Sequence, residues 1–261
     1  MGHIRLGELP RTRPWNQVVA FIAGGAHASQ VANATIRAAE RILERAFHDN
    51  GLVETVWLLF RLPMAARDRD FPDALRRCGL EVSEAPSLME FLAALTGAID
   101  DHLFNNRGRT DLGEMAQMTA AETFAEILAP RAEGLFGSTA ADVRQSLAGL
   151  ATPRQVSHLG RRFFARLIYK CLDFYLSRAL SDHVGDGRRF ATLADVAQFS
   201  QALETHCAEA AVIVERFSGD WFSLHRWETE GDITHELAAQ FAHGAMRKLI
   251  DELKQGARSD G

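Results

Sequence analysis

Several features that would classify this chain quickly are missing or scarce. Its longest uncharged apolar run, Val18 to Ala26, spans nine residues, far short of the roughly 20 needed to cross a bilayer. The opening MGHIRLGELPRTRP holds no apolar core of the kind a signal peptide carries. The three cysteines, Cys78, Cys171 and Cys207, are isolated, with no paired spacing for zinc or redox work. Lone thiols suit a reducing compartment, so a cytoplasmic location is expected, and they read as small buried residues. No GxxxxGK[ST] or GxGxxG accompanies Ala23-Gly24-Gly25-Ala26, which removes the phosphate-loop reading and leaves these small residues for a helix contact. A net charge of −5 argues against a general nucleic-acid binder, although a local basic patch stays open. There are ten histidines but no HExxH or ExxH, and Ala239 stands where a second His would follow His235-Glu236. The expectation is therefore no metal and no cofactor.

What the chain does have is apolar residues at helical spacing. A 47% hydrophobic share is ample for a core. The organising stretch is Thr152 to Gly185. Thr152 is a good N-cap, Pro153 suits the first helical position, and Gln155 completes a capping box. Gly185 is a natural residue just past a helix end. Between them Phe163, Phe164, Leu167, Ile168, Cys171, Leu172, Phe174, Tyr175, Leu176, Ala179 and Leu180 recur in a band too wide for a surface helix. Phe164, Leu167, Cys171 and Phe174 are expected in the core. One narrow strip is polar: Arg162, Arg166 and Lys170, which reads as a solvated face or a contact for an acidic partner. Gly160 is a weak point that could mark a kink.

The rest follows the same grammar. Helices are expected from about 29 to 48, from 52 to 61 with Pro63 as stop, and from 71 to 78. Ser87 with Glu90 caps one running to about 104. Asp111 with Glu114 opens another that Pro130 ends. Thr139 or Ser138 caps a short one to about 150, Thr192 with Asp195 one through Phe217, and Thr234 a last one to about 253. Val18–Phe21 and Leu80–Val82 are the only strand-like alternations, and whether Val18–Gly25 is strand or helix stays open. The expected fold is all-α: a single bundle of about eight to ten helices around the long central helix at 152–185. An arm at 1–14 precedes the helical domain at 15–254, and a frayed tail follows at 255–261.

Three constellations carry functional readings. Arg178-x4-His183 closes the long helix. A His there can move a proton at a ribose hydroxyl, and an Arg can hold the phosphate as charge develops. This spacing resembles the R-x4–6-H motif of HEPN domains, helical bundles found in many RNases and in toxin and defence systems. The resemblance covers six residues and implies metal-independent RNA cleavage, often across a dimer. The plainer reading is an Arg and a His favoured by the helix dipole. The second constellation, NNRGRTDLGE, offers Arg107, Arg109 and Asp111 at a helix start, as an anion or partner site or as an exposed loop with capping acids. The third, Gly219 to Glu230, is read as a loop. Its Trp221, Arg226 and Trp227 either anchor a partner or, for the aromatics, fold back onto the core.

With no nucleotide loop, metal set, nucleophile elbow or paired-acid motif, the leading expectation is a non-enzymatic interaction protein. It would serve as an adaptor, regulator or assembly subunit whose partner is another protein or a second copy. The alternative is a HEPN-like ribonuclease using Arg178 and His183, with RNA as its substrate.

Overall fold

Capping chemistry sets where most helices begin. Asp49, Asp70, Ser87, Thr139, Thr152 and Thr192 each accept a backbone N–H of the first turn that follows, satisfying donors that have no partner inside the helix. The computed structural model describes residues 12–106, 110–132, 139–228 and 233–255, with side chains as far as 130 and 224 in the middle two segments. Within these residues the chain forms eleven helical segments and no strand. The first five are α1 (Arg13–Ala23), α2 (Ala28–Ala46), α3 (Asn50–Ala65), α4 (Phe71–Arg77) and α5 (Leu88–Asn105). Then come α6 (Asp111–Ala132), α7 (Ala140–Gly149), α8 (Pro153–Ser181), α9 (Leu193–Ala210), α10 (Val212–Glu228) and α11 (His235–Gln255). Only Ala211 separates α9 from α10. The expected all-α multi-helix bundle is what forms.

The long helix is central, as its wide apolar band implies. α8 packs against α6, α9 and α10, and Phe163, Phe164, Leu167, Ile168, Cys171 and Leu172 are fully buried. Each large side chain of that set contributes about 1.5–3 kcal/mol by leaving water, which makes this seam a main source of stability. Phe174 departs from expectation, being only partly buried and set edge-on to Tyr175. α8 also ends at Ser181, short of Gly185, because the chain folds back. Phe190 N–H donates to the His183 carbonyl and Gly185 N–H to the Phe190 carbonyl, closing a turn. At the helix start Thr152 accepts from Gln155 N–H at 3.3 Å, which is one half of the capping box.

Gly160 marks a crossing. A Cβ there would stand 2.8 Å from Ser218 Oγ, and one on Gly219 would stand 2.6 Å from Ser157 Oγ. These reciprocal pairs let α8 and α10 approach closely. They also explain why Gly219 to Glu228 is helix and not loop: glycine is disfavoured in a lone helix, but the contact it permits outweighs that. Trp221 and Phe222 then pack on Phe60 and Phe241.

Other expectations shift for similar reasons. Val18–Phe21 belongs to α1, whose Trp15, Val18 and Ile22 face inward at helical spacing. The helix begins at Arg13, inside the stretch read as an arm. α3 continues through Pro63 to Ala65, and α6 passes Pro130 by two residues. Leu80–Val82 is not part of a strand. The strip of Arg162, Arg166 and Lys170 stays partly solvated, with Arg162 about half exposed, but its charges are taken by acids of this chain. Arg162 pairs with Glu126 at 2.7 Å, Arg166 with Glu126 at 2.6 Å and Lys170 with Glu122 at 2.9 Å, riveting α8 to α6. The Arg166 hydrogen bond, with Arg162 beside it, holds the Glu126 carboxyl below its usual range.

Candidate functional site

Glu54 is a lone carboxylate in the apolar run Leu52 to Phe60, and it is only 5% exposed. A buried carboxylate costs several kcal/mol unless it is hydrogen-bonded or bound to a cation. Its position is fixed by the start of α3. Asp49 Oδ1 accepts from Gly51 N–H at 2.9 Å and Leu52 N–H at 3.0 Å. Gly51 has no room for a side chain, since a Cβ there would lie 2.7 Å from the Gly113 Cα on α6. The first turn of α3 is thereby held against α6, and Glu54 points to where α5 ends and α11 begins.

Two histidines meet it there. His102, in the last turn of α5, places Nδ1 2.9 Å from Glu54 Oε2. His235, the first residue of α11, places Nε2 2.7 Å from the same oxygen. The tautomers follow from these bonds: Nδ1–H on His102 and Nε2–H on His235. The two rings lie within 10° of parallel, with centroids 6.0 Å apart. One donor atom from each of the three residues lies within 4.8 Å of the other two.

Supporting contacts hold the arrangement. Trp57, one turn beyond Glu54 on the same face of α3, stacks on the His235 ring at 4.3 Å and 17°. Its Nε1–H donates to the Ile233 carbonyl at 2.8 Å, tying down the chain just before α11. Thr234 Oγ1 accepts from Leu237 N–H at 3.3 Å. Asn50 Nδ2 donates to the Asn106 carbonyl and Asn106 Nδ2 to the His102 carbonyl, joining the ends of α3 and α5. A cleft of about 470 Å³ opens over the cluster, lined also by Val53 and Cys78. Burial pushes the Cys78 thiol up, so it is held as the neutral thiol and not as a nucleophile.

Two imidazoles and a carboxylate from three different helices can serve two kinds of chemistry. Without a cation they form a proton relay. With one they are the donor set of catalytic zinc sites and of non-haem iron centres, which leave coordination positions open. Bonds of about 2.0–2.2 Å to zinc set donors roughly 3–3.5 Å apart; the His–Glu separations of 2.7 and 2.9 Å are hydrogen-bond lengths, so an ion would displace the two ring protons and widen the spacing by a few tenths of an ångström.

The sequence-predicted site residues are elsewhere. Arg178 is exposed on α8, and His183 lies beyond the helix end, where its carbonyl accepts from Phe190 N–H. No hydrogen bond or ion pair joins them among the described residues. Asp111 opens α6 and is half-buried, while Thr110 Oγ1 provides the cap to Gly113 N–H. Arg107 and Arg109 lie outside the described residues. Trp221 is buried against the core. Arg226 and Trp227 are on the last turn of α10, and their side chains lie outside the described set.

Sequence reasoning passed over Glu54, His102 and His235 because 48 and 133 residues separate successive members. The one local signal was an acid inside an apolar run, which folding buries only if something satisfies it. Compared with models of protein families, with curated proteins and with solved structures, the chain matches none.

Proposed function

We propose that this protein is a metalloprotein with a catalytic-type centre, in which Glu54, His102 and His235 bind one divalent transition-metal ion at the mouth of the α3–α5–α11 cleft. The observation that supports this reading is the convergence of two imidazole nitrogens on one oxygen of a buried carboxylate. A structural carboxylate is satisfied more simply by backbone donors or an arginine. With zinc as the ion, such a three-ligand site would supply an activated water, and the reaction class proposed is hydrolytic. The protein's contribution is to fix the three donors on separate helices and to leave the cleft side, lined by Val53 and Trp57, open to a small substrate.

The test is metal binding. Purified protein, stripped with chelator, is titrated with Co²⁺ and followed by visible absorption and calorimetry, beside Glu54→Gln, His102→Ala and His235→Ala. One ion per chain is expected for the wild type, with binding lost in Glu54→Gln and weakened in both histidine variants. Wild-type protein that binds no Co²⁺, Zn²⁺ or Mn²⁺ would refute the reading. The interaction-protein role, with another protein or a second copy as partner, would then stand first. RNA cleavage in the presence of chelator, abolished by His183→Ala, would instead establish the ribonuclease reading.

A further inference from the structure

Trp57 does not read as an ordinary wall of the cleft. Its indole is committed on several sides. The ring stacks on His235 at 4.3 Å with 17° between planes. The ring nitrogen donates to Ile233, two residues before that histidine. The guanidinium carbon of Arg61, one turn further along α3, sits over the same ring at 5.9 Å. His235 is the first residue of α11, about half its side chain is exposed, and its bond to Glu54 holds a single ring nitrogen. One bond at Nε2 fixes a point of the ring but leaves its plane free to tilt unless something packs against the face. Nearly parallel stacking permits rotation of the imidazole about the stack axis but opposes tilting. The Ile233 bond fixes the backbone from which the side chain springs.

We infer that Trp57 is a positioning residue, which holds the imidazole plane of His235 so that Nε2 meets the same point as His102 Nδ1. This rests on the metal-binding reading of the site. The indole acts as an outer-shell support, the role that carboxylates and carbonyls play for many ligating histidines. Loss of such a partner typically weakens metal binding roughly 10–100-fold. Trp57, His235 and His102 lie in near-parallel order, with angles of 17° and 10° between successive rings, and the 4.3 Å pair is the one close enough to set a plane.

The experiment is a double-mutant cycle on Co²⁺ affinity in the full chain. Trp57→Leu removes both stacking and the Ile233 bond, while Trp57→Phe keeps a ring but donates nothing. Equal melting temperatures and circular dichroism confirm the folds. Trp57→Leu is expected to weaken Co²⁺ binding by roughly 10–100-fold and to alter the intensity of the visible bands, which report ligand geometry. Trp57→Phe should fall between it and wild type. In the His235→Ala background Trp57→Leu should cost nothing more, because its effect runs through that ring. Wild-type affinity and bands in Trp57→Leu, or losses that simply add with His235→Ala, would overturn the inference while leaving the metal site intact. Absence of Co²⁺ binding by the wild type would remove both. If Trp57→Leu fails to fold, Trp57→Phe carries the same cycle.

Discussion

Replacing Arg189 by alanine should loosen α1 from the rest of the bundle. Arg189 lies in the turn after α8, yet its guanidinium reaches the end of α1. It donates to the carbonyls of Phe21 at 3.2 Å, Ile22 at 2.9 Å and Ala26 at 2.6 Å. Those of Phe21 and Ile22 are at the C-terminal end of a helix, where the dipole favours a cation, and each also accepts one N–H from the following turn. The rings of Phe190 and Phe199 each lie 4.9 Å from the guanidinium carbon. Burial pushes the guanidinium pKa down, a cost these contacts must offset. A hydrogen bond to a charged group contributes about 1.5–3 kcal/mol. Water can reach this half-buried site once the side chain is gone, so the low end applies, and the two short bonds account for about 3 kcal/mol. Each ring contact adds about 0.5–1 kcal/mol at a partly exposed site. The expected loss for Arg189→Ala is thus about 4–5 kcal/mol. Urea unfolding would show it as a lower midpoint, and amide exchange should locate it first in α1. Arg189→Lys should recover only part, since an ammonium lacks the planar fork that spans several acceptors. A loss under about 1 kcal/mol, the range of ordinary surface changes, would refute the reasoning.

The α6–α8 ladder gives a pH prediction. The folded-state pKa of Glu126 is depressed, so its contribution is present above the unfolded value of about 4.3 and is lost as pH falls through the lower folded value. The stability difference between wild type and Arg166→Gln should therefore shrink as urea curves are measured from about pH 6 down to pH 3. It should be modest throughout, about 1 kcal/mol or less, because the pair is partly exposed. A difference that stays constant or grows on acidification would contradict the assignment. In the core, Phe164→Ala should cost about 3–5 kcal/mol, and Phe174→Ala clearly less, because only the former is fully buried. Equal losses by calorimetry would mean that α8 is seated differently.

Local chemistry in the sequence determined the helices and where most of them start. Thr152, Thr192, Ser87 and Thr139 are caps that need nothing beyond the next three residues, and the apolar spacing of Phe163 to Leu180 makes α8 central in any packing. Ends were less legible. Pro63 and Pro130 did not stop their helices where expected, and α8 stops early because of a turn closed by Phe190. Gly219 looked like a loop because its value as a crossing point depends on Ser157 of another helix.

Charge partners belonged to the tertiary structure altogether. Arg166 and Lys170 formed a readable strip, but periodicity on one helix says nothing about Glu122 and Glu126 on another. The candidate site is the extreme case. Glu54, His102 and His235 carry no spacing motif, because each comes from a different helix, far from the others along the chain. What places them within reach of one another is how α3, α5 and α11 pack: Gly51 against Gly113, Asn50 to Asn106, and Trp57 on His235. Hydrogen bonds within a helix form over a few residues and leave their mark in the sequence. The convergence of donors depends on apolar burial among distant segments, which is non-directional, so only the folded chain decided it.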